Sequence, residues 1–395
     1  MLKRVLFVDD EPNLLMGLQR SLRPMRAEWE MEFVASGEEA LQAMAGRQFD
    51  MVVTDMRMPG MTGAELLEKI QQESPQTIRI ILSGQSDRES IVRSSASAHQ
   101  FLSKPCDPEQ LKSLLTRTIA LTNLLQNASL KKLVSQLKCV PSLPSIYHDI
   151  TRELRSESPS PSRIGGMIAR DIGMTAKLLQ TVNSAVYGMR TEISEPEQAV
   201  LLLGLDTIHA MVLSLSIFSV IDPAVFSADE AERLWEHSVA TSKISRCIAK
   251  AEGIRGHALD PYQSAGLLHD VGKLVIASAD PLSYRSILEI SSSTGTRPWL
   301  VEREVLGCSH AEVGAYLLGI WGLPASIVEA VAWHHHPSES PVTEFSPLAA
   351  VHVASILHSR MHPEHEHGSP SLDQEFLERI GLAERQEIWM EVCSE

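Results

Sequence analysis

The chain is short of cysteine, of long apolar runs and of positive charge, and each shortage removes a class of function. Its five cysteines (Cys106, Cys139, Cys247, Cys308 and Cys393) are odd in number, dispersed and never paired as Cys-x-x-Cys. A disulfide framework is therefore not expected, and the thiols read as reduced and mostly buried, as in a cytoplasmic protein. No segment approaches the ~18 uninterrupted apolar residues of a membrane span, and Met1-Leu2-Lys3-Arg4 leads straight into a strand-like stretch, so no membrane insertion is expected. Lys and Arg number 35 against 50 Asp and Glu, a net charge of -15, which argues against a broad nucleic-acid or anionic-membrane surface. With no basic helix in view, DNA binding is not expected.

What remains is ordinary for a globular chain: 44% apolar and 22% charged residues in 395, enough for two or three domains. The first third alternates β-rich runs (Val5–Val8, Glu32–Ala35, Met51–Thr54, Ile78–Leu82, Gln100–Leu102) with helical spacing over Leu14–Leu22, Glu38–Ala45, Ala64–Gln71 and Glu89–Ser95. Such alternation predicts a doubly wound five-stranded parallel sheet with helices on both faces and its site at the carboxyl ends of the strands. From Leu111 to Leu137 leucines and an isoleucine recur at three- and four-residue steps, predicting a last domain helix that runs into a connector. Beyond Pro141 and Pro144 the pattern is helical to about Ser359, with no convincing strand, and Met211–Phe218 reads as a buried helix. His362–Ser371 reads as an exposed loop and Leu372–Glu395 as a short terminal helix.

Two clusters carry chemistry. In the first third, Asp9, Asp10 and Glu11 follow one strand and Asp55 follows another that should be its neighbour. Carboxylates this close repel unless a cation joins them, and hard oxygen donors select Mg²⁺. Ser83 and Lys104 close two further strands and bring a hydroxyl and an ammonium to the same rim. The set suits phosphoryl transfer to the Asp55 carboxylate, with Mg²⁺ and Lys104 neutralising the phosphoryl oxygens. In the second half, Ala265-Gly266-Leu267-Leu268-His269-Asp270-Val271-Gly272-Lys273 delivers an imidazole and a carboxylate into an apolar wall, about 100° apart if both lie on one helix. His237 precedes it; His310 and His334-His335-His336 follow, all within helical apolar patterns.

The motifs Val8-Asp9-Asp10-Glu11, Thr54-Asp55-Met56-Arg57-Met58-Pro59-Gly60, Leu82-Ser83-Gly84 and Phe101-Leu102-Ser103-Lys104-Pro105 resemble the receiver domain of two-component response regulators, over about Met1 to Leu121. The resemblance implies that Asp55 accepts phosphate from a sensor histidine kinase. It implies too that Asp10, Asp55 and the Arg57 backbone carbonyl bind Mg²⁺, with Asp9 helping through water, and that Ser83 and Phe101 form the switch pair.

The order His237, His269-Asp270, His310, His334-His335 resembles the HD superfamily of metal-dependent phosphohydrolases, including the HD-GYP enzymes that hydrolyse cyclic di-GMP. Two departures stand against an active site. Ser355 occupies the place of the final aspartate in Val351-His352-Val353-Ala354-Ser355, and Pro337-Ser338-Glu339-Ser340-Pro341 replaces the Gly-Tyr-Pro segment. A hydroxyl cannot replace a carboxylate's charge, so a divalent ion is expected to bind only weakly, with His352 one turn away as the candidate to compensate. His358, His362, His365 and His367 read as a solvated group. Before His237, Val140-Pro141-Ser142-Leu143-Pro144, Val182-Asn183-Ser184-Ala185-Val186-Tyr187-Gly188 and Leu202-Leu203-Gly204-Leu205 resemble the HDOD domain, whose members act as signalling or interaction modules.

The sequence thus predicts a receiver at 1–122, a helical connector at 123–138 and an all-α HDOD domain at 139–360, split into a bundle half (139–222) and an HD-like half (230–360), with 361–395 as a tail. Phosphorylation of Asp55 is expected to regulate the HDOD domain, which engages a downstream protein; the connector is the expected surface for a homodimer. The alternative is a phosphorylation-gated hydrolase of cyclic di-GMP or a related phosphoester, with metals held by His237, His269, Asp270, His310, His334 and His335.

Overall fold

The computed structural model describes residues 3–83, 97–104, 111–112, 115–116, 134, 140–142, 149–150, 152–154, 156, 158–183, 193–205, 208, 218–220, 228–361 and 371–394. The chain divides into two compact units, one of Met1–Gln126 with Gln180–Thr191 and Ile320–Gly322, the other of the remaining segments.

In the first unit, β1 (Lys3–Val8), β2 (Trp29–Val34), β3 (Met51–Asp55), β4 (Ile78–Ser83) and β5 (Gln100–Ser103) form one parallel sheet in the order β2-β1-β3-β4-β5. Val5 to Val8 and Met51 to Asp55 are buried, because helices cover both faces of a parallel sheet. Their strands therefore read as unbroken apolar runs. β2 begins earlier than its periodicity suggests, because Trp29 is buried and pairs in register with Lys3.

Helices α1 (Pro12–Ser21), α2 (Gly37–Gly46) and α3 (Gly63–Glu73) start on recognisable signals. Pro12 enters α1, the Ser36 hydroxyl accepts from the Glu39 amide, and Thr62 with Glu65 forms a capping box. Leu66, Leu67 and Ile70 of α3 pack with Leu6, Val8, Val52 and Ile81 in the core. The helix expected over Glu89–Ser95 lies outside the described residues, as does the connector 123–138 apart from Val134.

The second unit is helical, with one addition. Its helices are α4 (Pro161–Ile168), α5 (Ile172–Val182), α6 (Pro196–Leu203), α7 (Ala228–Ala251), α8 (Asp260–Leu268), α9 (Val271–Ala279), α10 (Pro281–Thr294), α11 (Pro298–Leu306), α12 (His310–Ile320), α13 (Ala325–Trp333), α14 (Pro347–Met361), α15 (Gln374–Arg379) and α16 (Gln386–Ser394). The addition is a short parallel pair, β6 (Val140–Ser142) with β7 (Phe218–Val220), where no strand is expected. Three residues are too few to show a period. Of the helix expected over 211–218 only Phe218 is described, and it begins β7.

The terminal segment belongs to this unit. Trp389 is fully buried and its indole N–H donates to Glu252 Oε1 at 2.7 Å, which also accepts from Arg385 Nε at 2.9 Å. Two short helices, α15 and α16, replace the one expected there; residues 362–370 of the expected loop lie outside the described residues.

His269-Asp270 sits at the junction of α8 and α9, where Asp270 leaves helical geometry (φ -101°, ψ 9°). Glycines flank the doublet for a steric reason. A Cβ on Gly266 would stand 2.7 Å from the Ser242 Cα of α7, and one on Gly272 would collide with the His310 carbonyl at the start of α12. Only bare backbone lets the three segments approach this closely. Gly272→Ala should therefore destabilise the helical unit by about 1–3 kcal/mol, as overpacking does elsewhere. Denaturant unfolding followed by circular dichroism checks this; an unchanged midpoint would show that α12 moves aside without cost.

Candidate functional sites

In the first unit the chain order reverses at β1, whose neighbours β2 and β3 lie on opposite sides, and the crevice of such a sheet opens at the carboxyl ends of those strands. Asp9 and Asp10 follow β1 there, and Asp55 closes β3. One carboxylate oxygen from each lies within 4.8 Å of the others. Lys104, directly after β5, places its ammonium 2.7 Å from Asp9 Oδ2 and 2.7 Å from Asp55 Oδ1. The Arg57 amide donates to Asp55 Oδ2 at 3.3 Å, and the Glu11 amide to Asp9 Oδ1 at 2.9 Å. An all-oxygen set of three carboxylates fits a hard divalent ion. Ser83 ends β4 in register with Ser103, and Phe101 stands opposite Ile81.

Burial raises the pKa of Asp55 against the pull of Lys104, with Asp9 adding to the rise. The Lys104 ammonium is also raised: burial opposes its charge, but Asp55 and Asp9 together outweigh that cost.

In the second unit the candidate ligands gather around Asp270. Oδ1 is 3.0 Å from His310 Nε2 and 3.8 Å from His334 Nε2; Oδ2 is 3.5 Å from His269 Nε2 and 4.0 Å from His237 Nε2. His335 Nε2 lies 2.9 Å from His310 Nε2, and His237 Nε2 lies 3.2 Å from His269 Nε2. Two overlapping groups of potential ligands result: Asp270, His310, His334 and His335, and His237, His269 and Asp270. Only His237 lies in the interior of a helix. His310 begins α12, and His334 and His335 follow the end of α13. The apolar period runs on across these breaks (Leu267, Leu268, Val271, Leu274), which hides them in the sequence.

Hydrogen bonds set the tautomers. His269 Nδ1 is 2.7 Å from the Gly266 carbonyl, His334 Nδ1 is 2.9 Å from that of Val331, and His310 Nδ1 is 2.7 Å from a Glu302 oxygen. His269 and His334 each donate the Nδ1 proton to a backbone carbonyl and turn Nε2 toward Asp270, the orientation that metal-binding imidazoles require. His310 stands between two carboxylates: burial opposes its charge, but Glu302 and Asp270 outweigh that and raise its pKa. Burial holds His237, His334 and His335 well below the ordinary imidazole pKa, so these rings are neutral. Buried His334 Nε2 has no hydrogen-bond partner among the described residues. A metal fits that orphaned atom.

The Response regulator receiver domain family matches residues 5–116, and the HDOD domain family matches residues 140–337, about half of the chain. The chain belongs to the HDOD family. Its architecture is that of a response regulator with a receiver ahead of an HDOD domain. This HDOD protein is 30% identical over 209 residues to an uncharacterized protein of Treponema pallidum, covering 53% of this chain and 40% of that one. It is 33% identical over 114 residues to the DNA-binding transcriptional regulator NtrC of Escherichia coli K12, covering 29% of this chain and 24% of that one. It spans less than half the length of these curated relatives. Among solved structures, the MmoQ response regulator of Methylococcus capsulatus aligns over 65% of this chain and 99% of its own, at 22% identity and a TM-score of 0.50, which is a likeness of fold.

The HDOD domain also recruits residues that sequence reasoning left aside. Lys273 Nζ lies 2.6 Å from Asp270 Oδ2. Buried Glu302 backs His310 and accepts from its backbone amide at 2.6 Å. His358 belongs to α14 and not to a solvated loop; its Nδ1 is 2.9 Å from His237 Nδ1, and it lies one turn after Ser355. Ser355 itself reaches the site, with Oγ 3.4 Å from His237 Nε2. His352 does not compensate for it. Both its ring nitrogens are engaged, Nδ1 with the His334 carbonyl at 2.7 Å and Nε2 as acceptor from the Asp373 amide at 2.9 Å. These residues border a cavity of about 500 Å³, with Arg233, Arg297 and Trp299 also on its wall. His336 turns away to Arg303 and Glu339.

The Asp55 shift has a pH signature. A carboxyl whose folded pKa is raised favours folding below its unfolded pKa and loses that contribution as pH rises through the folded value. Asp55→Asn should therefore raise the melting temperature of the receiver at about pH 7, and the gain should shrink toward about pH 3.5. A calorimetric melt at both pH values checks this. A lower melting temperature at neutral pH would mean that Lys104 depends on Asp55 more than burial penalises it.

Proposed function

We propose that Asp55 is the phosphoacceptor of a two-component phosphorelay and that its phosphorylation regulates the HDOD domain, which acts as a signalling and protein-interaction module. The observation that carries this reading is the Lys104 ammonium bridging Asp9 and Asp55 beside Asp10 at the sheet's crevice. In the reaction, an Asp55 carboxylate oxygen attacks the phosphorus of a phosphohistidine on a sensor kinase. The new O–P bond forms as the N–P bond breaks, and the released imidazole takes up a proton. Asp9, Asp10 and Asp55 would hold Mg²⁺, which neutralises phosphoryl oxygens when bound. Lys104 turns from Asp55 to the phosphoryl group, and Ser83 and Phe101 relay the change as the switch pair.

The second reading, a hydrolase of cyclic di-GMP or another phosphoester, draws on the convergent imidazoles around Asp270. Ser355 in place of a carboxylate and the absent Gly-Tyr-Pro segment weigh against it. Among the described residues no helix is long and apolar enough to cross a membrane, which accords with a phosphodonor reached from solution.

Acetyl phosphate with Mg²⁺ should label the wild-type chain at one site, and Asp55→Asn should abolish the label, read by intact-protein mass spectrometry. Labelling that survives the substitution would assign the acceptor elsewhere. Metal-loaded protein should not turn over cyclic di-GMP; turnover lost in Asp270→Ala would establish the second reading.

A further inference from the structure

We infer that the helical unit is built for one divalent ion and not a pair, with Lys273 standing as the resident cation where a second ion would sit. The two ligand groups share Asp270 but differ in charge. On the Oδ1 side, His310 and His334 lie 3.0 and 3.8 Å from the carboxylate, and His335 lies 2.9 Å from His310. Metal–ligand bonds of about 2.0–2.2 Å place neighbouring ligands about 3–3.6 Å apart, so small adjustments close this set around an ion. Glu302, buried behind His310 at 2.7 Å, adds a second negative charge, so a dication here is neutralised.

The Oδ2 side has the opposite balance. Lys273 Nζ already lies 2.6 Å from Oδ2, closer than either His269 or His237. The remaining neighbour of His237 on that side is the neutral Ser355 hydroxyl at 3.4 Å. A dication placed here would share its one carboxylate oxygen with an ammonium, and among the described residues Asp270 is the one carboxylate grouped with His237 and His269 as a ligand. Electrostatics thus sends the ion to His310, His334 and His335 and leaves His237 and His269 empty. Three imidazoles and one carboxylate form a nitrogen-rich set that favours Zn²⁺, Fe²⁺ or Co²⁺ over Mg²⁺. Four protein ligands also fill a tetrahedral shell, as in closed sites that hold structure together.

The test counts metal and is independent of phosphorylation. Full-length protein, free of any histidine tag and stripped with a chelator, is titrated with Zn²⁺ in excess Mg²⁺, which keeps the receiver carboxylates occupied. Bound zinc is measured by elemental mass spectrometry, and Co²⁺ absorption reports imidazole ligation. About one equivalent is expected; His310→Ala or His335→Ala should weaken it by roughly 100-fold or more, while His237→Ala keeps it. The double variant Lys273→Met/Ser355→Asp should gain a second equivalent. Zero or two equivalents in wild type, or loss of the single equivalent in a His237→Ala protein that retains its circular dichroism, would overturn the proposal. A double variant that stays at one equivalent would remove Lys273 from it.

Discussion

One buried carboxylate organises the helical unit. Asp270 is 1% exposed, and an ionised carboxylate so placed is tolerable only if its oxygens are paired. Burial pushes its pKa up, yet His269, Lys273 and His310 together hold it well below the ordinary carboxylate value, so the charge is kept. Removing one partner of such a buried charge costs about 3–5 kcal/mol, because the other is left uncompensated. This constraint explains why glycines stand where α8 meets α7 and where α9 meets α12. The backbone must come close enough for short ligands to reach one point.

The receiver handles charge differently. Its carboxylates stand at a crevice where the strand order reverses, and the Lys104 ammonium that compensates them is tethered by a flexible stem. Compensation there can be rearranged, as the proposed phosphorylation of Asp55 requires. Around Asp270 the rings of His269, His334 and His310 are oriented by backbone carbonyls and by Glu302 before any ion enters.

The receiver's parallel sheet was legible in the sequence, since its strand ends are marked by apolar runs stopping at Asp9, Asp55, Ser83 and Lys104. The helical unit was legible in its ligands but not in its geometry. His310 and His334 read as mid-helix residues because apolar spacing continues through the helix breaks. Glu302 and His358 were invisible as site residues, for their roles arise from tertiary contact with His310 and His237 across separate helices. Ser355 could be placed because it falls at a position where a family resemblance expects a carboxylate. Helical spacing made His352 a candidate to stand in for it, and only its hydrogen bonds reveal a strut.

That strut changes where the working domain ends. The family likeness stops at residue 337, but His334 is backed by His352, and His352 is held by the amide of Asp373. Asp373 in turn fixes Ser338, and the helix after it leads to buried Trp389 on Glu252. The tail is therefore a clasp that braces His352, behind His334, and fastens to the far end of α7. A fragment cut at the family boundary would keep nearly every motif that names the domain and lose the strut behind His334.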